Sequence, residues 1–118
     1  MSVTKNTLTA LSVIISADHD TYTFKHLRDI GNLFSKNFVS FICYDAQGDP
    51  ISTGLSGSIT VSAASVDGAA FQSIPSGVID ISVSLASLNF QGIVDQLKVV
   101  FSAISGCSTV KITLDRVK

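Results

Sequence analysis

The sequence predicts an all-β fold, an antiparallel β-sandwich of jelly-roll or immunoglobulin-like type with about seven strands. Apolar and polar residues alternate with a period of two along most of the chain, as in half-buried strands. Turn-forming residues separate these segments at the spacing expected of a sandwich or barrel. Charged residues make up only 14% of the chain, whereas Ser and Thr number 18 and 9, so helix-favouring Lys, Glu and Arg are scarce.

The strand pattern occurs in seven segments, which we take in chain order. They are residues 11–16, 21–24, 38–44, 58–63, 79–85, 96–103 and 110–115. Residues 1–20 are expected to form an extended N-terminal arm or a first strand. The segment 38–44 is apolar on both faces, which predicts a central strand covered on both sides.

Turn signals lie between these strands. Residues 45–50 combine Gly48 with a proline, and Asp67-Gly68 is a hairpin dipeptide. Residues 74–77 predict a further turn. Residues 105–108 separate the last two strands, which we expect to pair as an antiparallel hairpin.

One segment has a different period. Residues 26–34 carry apolar side chains at a helical spacing, which predicts either one short helix or an irregular loop. Gly31 weakens the helical alternative. Since no linker, repeat or low-complexity tract interrupts the pattern, residues 1–118 are interpreted as a single β-sandwich domain.

Composition also restricts the partners and the compartment. A net charge of −1 without a basic run argues against nucleic-acid binding. Apolar runs such as Val13-Ile14-Ile15 are far too short to span a bilayer. The N-terminus has no signal-peptide pattern, which predicts synthesis in a cytoplasm without export. Few charges separate identical copies, which favours burial between subunits; the alternative is a neutral monomer.

The polar clusters do not form a convincing metal or redox site. Cys43 and Cys107 lie 64 positions apart and are expected to be reduced core thiols rather than a disulfide. Asp18-His19-Asp20 could hold a cation, but a solvated turn is the simpler interpretation. His19 and His26 have no recognised ligand spacing. We therefore predict no metal and no cofactor.

No catalytic constellation is evident either. Asp45 and Asp49 flank one tight turn, where Asp commonly bonds its own backbone. Ser56 lies in a near match to the nucleophile elbow, but the glycines beside it suggest a bulge or kink. We predict that the protein is not an enzyme. Phe71 and Phe90 stand in predicted loops, where each either anchors a neighbouring subunit or folds onto its own core.

Several stretches together resemble the small β-sandwich structural accessory proteins of tailed-bacteriophage virions, of the head-decoration or fibre-base type. The resemblance covers roughly residues 38–117. It lies in Phe41-Ile42-Cys43-Tyr44-Asp45-Ala46-Gln47-Gly48-Asp49-Pro50-Ile51, in residues 57–62 and 71–77, and in the closing segments 97–106 and 109–114.

The resemblance implies a non-enzymatic virion protein of a tailed bacteriophage, made in the host bacterial cytoplasm. It implies self-assembly, with a trimer favoured, and attachment to the capsid or tail through other virion proteins. It supplies no catalytic residues. The alternative from the residues alone is a carbohydrate- or ligand-binding β-sandwich module, which the absence of Trp and the presence of only two Tyr weaken.

Overall fold

The computed structural model describes residues 8–18, 20–27, 36–66, 69–82 and 87–117, and it is all-β with two antiparallel sheets packed together. The predicted β-sandwich is therefore confirmed. The described residues form nine strands, which are β1 (Leu8–Ser16), β2 (Thr21–Phe24), β3 (Lys36–Tyr44), β4 (Pro50–Ile51), β5 (Ser56–Ala64), β6 (Gln72–Asp80), β7 (Ser87–Gln91), β8 (Gln96–Ser105) and β9 (Thr109–Val117).

The strands divide between the sheets without following chain order. Sheet A has the order β1-β9-β3-β4, and β7 also pairs with β3. Sheet B has the order β2-β8-β5-β6. The chain therefore crosses between the sheets several times, including at β1–β2 and at β8–β9. The latter crossing contradicts the hairpin predicted for the last two strands, because β8 pairs with β2 and β5 while β9 pairs with β1 and β3.

Period-two alternation puts one face of each sheet into the core. Every second residue of β9 points inward, and the inward-facing apolar side chains of the two central strands are almost fully buried. Those of β8 and β9 are Leu97, Val99, Phe101, Val110, Ile112 and Leu114. Burying each such side chain stabilises the fold by about 1.5–3 kcal/mol relative to its exposed state.

The prediction that residues 38–44 are covered on both sides is wrong. Val39, Phe41 and Cys43 are buried, but Phe38 and Ile42 on the other face of β3 are 41% and 42% exposed. In the described part of the chain, sheet A has only sheet B against it. Its second face is therefore the outside of a two-layer structure.

The turn predicted at residues 74–77 is also wrong, because these residues lie inside β6. Thr60 pairs with Val78 and Ser62 with Ser73, so residues 74–77 oppose Val61 alone. The proline and glycine that suggested a turn instead form an irregularity within a continuing strand. The predicted strand at 79–85 thus begins earlier and ends at Asp80, and residues 83–85 lie outside the described residues.

Other local predictions have mixed outcomes. The N-terminal segment was predicted to be either an extended arm or a first strand. Residues 8–16 form a strand of sheet A, which agrees with the second alternative, and residues 1–7 lie outside the described residues. Strands β5 and β6 pair antiparallel across the segment that contains Asp67-Gly68. Residues 28–34 of the predicted short helix are outside the described part, and His26 has irregular backbone with φ 57°. The two short strands β4 and β7 were not predicted.

Gly57 permits the bulge that the sequence suggested around Ser56. The register of β5 against β8 shifts between Ser56 and Ser58, and Gly57 has a φ of 107°. A Cβ atom built at Gly57 would lie 2.5 Å from the carbonyl oxygen of Ala103. Only glycine therefore fits both the backbone conformation and the close approach of the two strands.

We predict that Gly57→Ala lowers the free energy of unfolding by about 3 kcal/mol or more, because backbone strain and a backbone clash combine. Gly48→Ala is the matched control, since Gly48 also has positive φ (85°) but no atom within 4 Å of the built Cβ. The control should lose only about 1 kcal/mol. Urea unfolding of both variants measures the difference, and equal losses would contradict the clash.

Candidate assembly surface and the residues around it

The outward-facing side of sheet A carries apolar side chains that the core does not use. Ile14 and Ile42 lie in one row across the sheet, with Lys111 of β9 between them. Ile14 is 61% exposed, and Phe38 and Val117 are exposed on the same face. We call Ile14, Phe38, Ile42 and Val117 the outer patch. Scattered exposed apolar residues are ordinary, but several on one sheet face form a candidate contact surface.

The rest of this face is mostly hydroxyl-bearing. The row beside the two isoleucines contains Ser12, Thr113 and Ser40 in adjacent strands. A depression of about 230 Å³ lies around Phe38 and is bordered by Lys36 and Asp115. Such a surface has few charges to desolvate, so covering it with another protein costs little electrostatic energy.

A second concavity opens between the two sheets, at their β6 and β7 edge. Its volume is about 350 Å³, and its lining mixes small apolar side chains with amides and hydroxyls. Phe90 lines it and also packs against the core, which agrees with the alternative of a Phe folded onto its own core. Phe90 lies in β7 rather than in the predicted loop.

Phe71 does stand in a loop, immediately before β6. The Lys98 ammonium lies 4.5 Å from the centroid of its ring, a cation–π contact on the outer side of sheet B. Phe71 therefore has a partner within its own chain. Its proposed role as an anchor for a neighbouring subunit stays a prediction.

The predicted acidic turns are arranged mainly by backbone bonding. A carboxylate oxygen of Asp45 accepts hydrogen bonds from the backbone N–H groups of Gln47 and Asp49, each at 2.9 Å. This is the role expected of Asp in a tight turn. Asp18 accepts a hydrogen bond from the Ser16 hydroxyl, and the Asp20 carbonyl accepts one from Phe101 N–H at 2.8 Å.

The candidate metal and catalytic residues are not brought together in the described structure. No three His, Cys, Asp or Glu side chains cluster there as metal ligands would, and His19 lies outside it. Ser56 shares a 2.5 Å hydrogen bond with the Ser105 hydroxyl on the facing strand. His26 is exposed in the segment that follows β2. The described residues contain no helix long and apolar enough to cross a membrane.

Sequence reasoning missed two buried polar residues at one end of the sandwich. Asn37 and Arg116 are opposite each other in adjacent strands of sheet A and point inward. Asn37 donates from its amide to the Gly92 carbonyl at 2.9 Å, and the Arg116 guanidinium donates to the Leu27 carbonyl. The sequence pattern did contain this information, because every second residue of a strand faces the same side. Asn37 therefore shares the inward face of Val39, and Arg116 shares that of Leu114.

We predict that Arg116→Met lowers the free energy of unfolding by about 2 kcal/mol, since the buried Leu27 carbonyl loses a charge-assisted hydrogen bond. Lys111→Met, on the outward face of the same strand, should stay within about 0.5 kcal/mol of the native protein. Chemical denaturation of the two variants compares these positions. A larger loss for the lysine variant would contradict the assignment.

The two cysteines are neighbours despite their separation in sequence. Ser108 N–H donates to the Tyr44 carbonyl at 2.8 Å, which holds the residue after Cys107 beside the residue after Cys43. Burial, together with a contact and hydrogen bond to Cys107, raises the pKa of the Cys43 thiol to about 12. Cys43 is buried, as predicted, whereas Cys107 is only partly buried and both are free thiols. Their oxidation state in the cell stays a prediction.

This contact predicts that a mild oxidant joins Cys43 to Cys107 within one chain. Closing a loop of 64 positions should raise the free energy of unfolding by about 4 kcal/mol at most, less any native-state strain. Intact-mass measurement should show the loss of two hydrogens, and denaturation should show the gain. Cys107→Ser is the control, and an oxidised product linked between chains instead would contradict the prediction.

The sequence places the chain in a known family. Residues 29–116 match the family described as "Domain of unknown function (DUF7265)". The chain belongs to the DUF7265 family. No curated protein matches the DUF7265 chain in sequence.

Solved structures similar to this DUF7265 protein are distant in sequence. The Drosophila NLP core, described for pentamer formation and histone binding, is 14% identical, with TM-score 0.46 and coverage of 94% of this chain and 97% of that one. The CBM32 of AlyQ in complex with 4,5-unsaturated mannuronic acid is 13% identical, with TM-score 0.47 and coverage of 88% and 92%.

The tripod from the baseplate of bacteriophage Tuc2009 is also similar, at 10% identity and TM-score 0.44, with coverage of 91% of this chain and 88% of that one. These three structures have different functions according to their descriptions. At such TM-scores none of them assigns a function to the DUF7265 chain.

Proposed function

We propose that this protein is a non-enzymatic structural protein of a tailed-bacteriophage virion, which self-assembles and attaches to the capsid or tail. The observation that carries the proposal is the outer patch, an apolar group on an otherwise hydroxyl-rich sheet face. Ile14 and Ile42 are 61% and 42% exposed there, in the same row of sheet A. The resemblance of residues 38–117 to virion accessory proteins supplies the virion context.

The chemistry of the outer patch suits protein–protein contact. Interface cores are depleted of charge and enriched in apolar and aromatic side chains. Lys111 and Asp115 are the charged residues that β9 contributes to this face, and Phe38 lies beside Asp115 in the register. The proposal therefore gives the outer patch to the capsid or tail partner, with Phe38 and Ile42 as its anchors.

The proposal predicts that the protein is a component of purified particles and that Ile42→Glu reduces its incorporation about tenfold or more. A carboxylate at this position would be desolvated in the interface, while in the free protein it can interact with neighbouring Lys111. Quantitative mass spectrometry of particles from the phage that encodes this chain measures the copy number.

Val78→Glu is the matched control, because Val78 is 67% exposed on the outward face of sheet B, away from the outer patch. It should leave incorporation unchanged. Equal loss for both variants would indicate a stability effect, which unfolding measurements on the purified variants detect. Absence of the native protein from infectious particles would overturn the proposed function.

The cleft of about 350 Å³ between β6 and β7 favours a second candidate, a carbohydrate- or ligand-binding module. Phe90 offers an apolar surface there, and Gln72 and Gln91 offer amide groups for hydrogen bonds to sugar hydroxyls. A glycan array tests this candidate. Binding that Gln72→Ala abolishes would support it, and signal at background would remove it.

A further inference from the structure

The free edges of the two sheets differ in how well they resist pairing with another strand. A sheet edge exposes unpaired backbone N–H and C=O groups, and proteins guard edges with short strands, prolines, bulges or charges. In sheet B, β2 has four residues and β6 contains Pro75 and the irregularity opposite Val61. In sheet A, the far edge consists of the two-residue β4 and the five-residue β7.

Strand β1 has none of these guards. Its nine residues, Leu8–Ser16, pair with β9 in unbroken register and read LTALSVIIS, without a charge, a glycine or a proline. Among the residues that the structure describes, no strand pairs with the other side of β1. A long, neutral edge of this kind is a template for strand addition.

We propose that β1 pairs antiparallel with β1 of a second copy of this chain, which joins sheet A of the two copies into one continuous sheet. A two-fold axis through Ser12 pairs all nine residues of both strands. Each residue is then opposite one from the same face of the sheet, so Leu11 is opposite Val13 and Ala10 is opposite Ile14 of the second copy. Inward residues thus remain on the inward face across the junction.

The exposed side chains of β1 support this arrangement. Ile14 is 61% exposed on the outward face, and Leu11 is 36% exposed on the inward face at the edge of the sheet. Because cross-strand neighbours pack on each face, a second β1 would cover part of both side chains. The contact therefore adds apolar burial to the backbone hydrogen bonds.

Charge favours a second copy as the occupant. Ser12 lies in a row with Thr113 and Ser40, so the two-fold axis passes through hydroxyls rather than like charges. In the next row, Ile14 of one copy is opposite Ala10 of the other. Lys111 and Asp115, their partners in β9, have opposite charges, so this row brings no like charges together. With a net charge of −1, the chain has little long-range repulsion against itself.

This inference rests on the self-assembly within the proposed function and specifies its surface. The pairing is isologous, since the same strand serves on both copies, so its product is a dimer. That product differs from the trimer that the family resemblance implies. Phe38, Ile42 and Val117 of the outer patch lie on other strands of the same face and remain available on both copies to contact a virion partner.

A charge swap at the axis tests the pairing. Ser12→Glu and Ser12→Lys each place two like charges directly opposite one another, which should raise the dissociation constant of the homodimer about tenfold or more. Ser12 is exposed, so both variants should fold. When the two variants are mixed, opposite charges meet at the axis, and a 1:1 heterodimer should form with at least the native affinity. Sedimentation velocity across a concentration series measures all of these species.

Ser102→Glu and Ser102→Lys are the matched controls, because Ser102 is an exposed serine on sheet B. They should dimerise like the native chain. A native oligomer that both Ser12 variants retain, or a native trimer, would overturn the β1 pairing while leaving self-assembly intact. A native chain that stays monomeric at all concentrations would overturn self-assembly itself, and with it the pairing.

Discussion

The apolar contact between the two sheets determines which side chains of this protein are exposed. The inward side chains of β9 and β8, among them Val110, Ile112 and Val99, are fully buried between the layers. Because strand side chains alternate, burying this set directs every intervening residue outward. The exposure of Ile14, Phe38 and Ile42 follows from that geometry and leaves them available for a partner.

The crossings between sheets place distant residues side by side. Gly106 lies between β8 and β9 with a φ of 95°, and a Cβ there would meet the Gly54 carbonyl oxygen at 2.2 Å. This tight corner carries the chain from sheet B to sheet A and brings Cys107 to Cys43. The contact between the two thiols is thus a consequence of the crossover. No local sequence motif around either cysteine predicts it.

The two proposed contact surfaces lie outside the core and differ in chemistry. The outer patch offers apolar side chains on a sheet face, whereas β1 offers backbone hydrogen-bonding groups along a neutral edge. A sheet face and a sheet edge can be occupied at the same time, because their contact directions are roughly perpendicular. The proposed attachment through Phe38 and Ile42 therefore does not compete with the proposed pairing through β1. Both surfaces contain few charged residues, in agreement with the low charged fraction of the whole sequence.

Period-two alternation is a local property, and it was enough to predict the all-β class, most strands and, for most of these strands, the side that faces the core. The alternation also indicated that Arg116 is buried, because Arg116 lies on the same face of its strand as the buried Leu114. Which strands pair, in contrast, depends on contacts between distant parts of the chain. The alternation of a strand is the same whichever strand it pairs with. It therefore could not show that the chain crosses from one sheet to the other between β8 and β9 instead of forming the predicted hairpin. The same limit applies to residues 38–44: hydrophobicity on both faces did not show that a second layer covers only one of them, since coverage depends on distant segments.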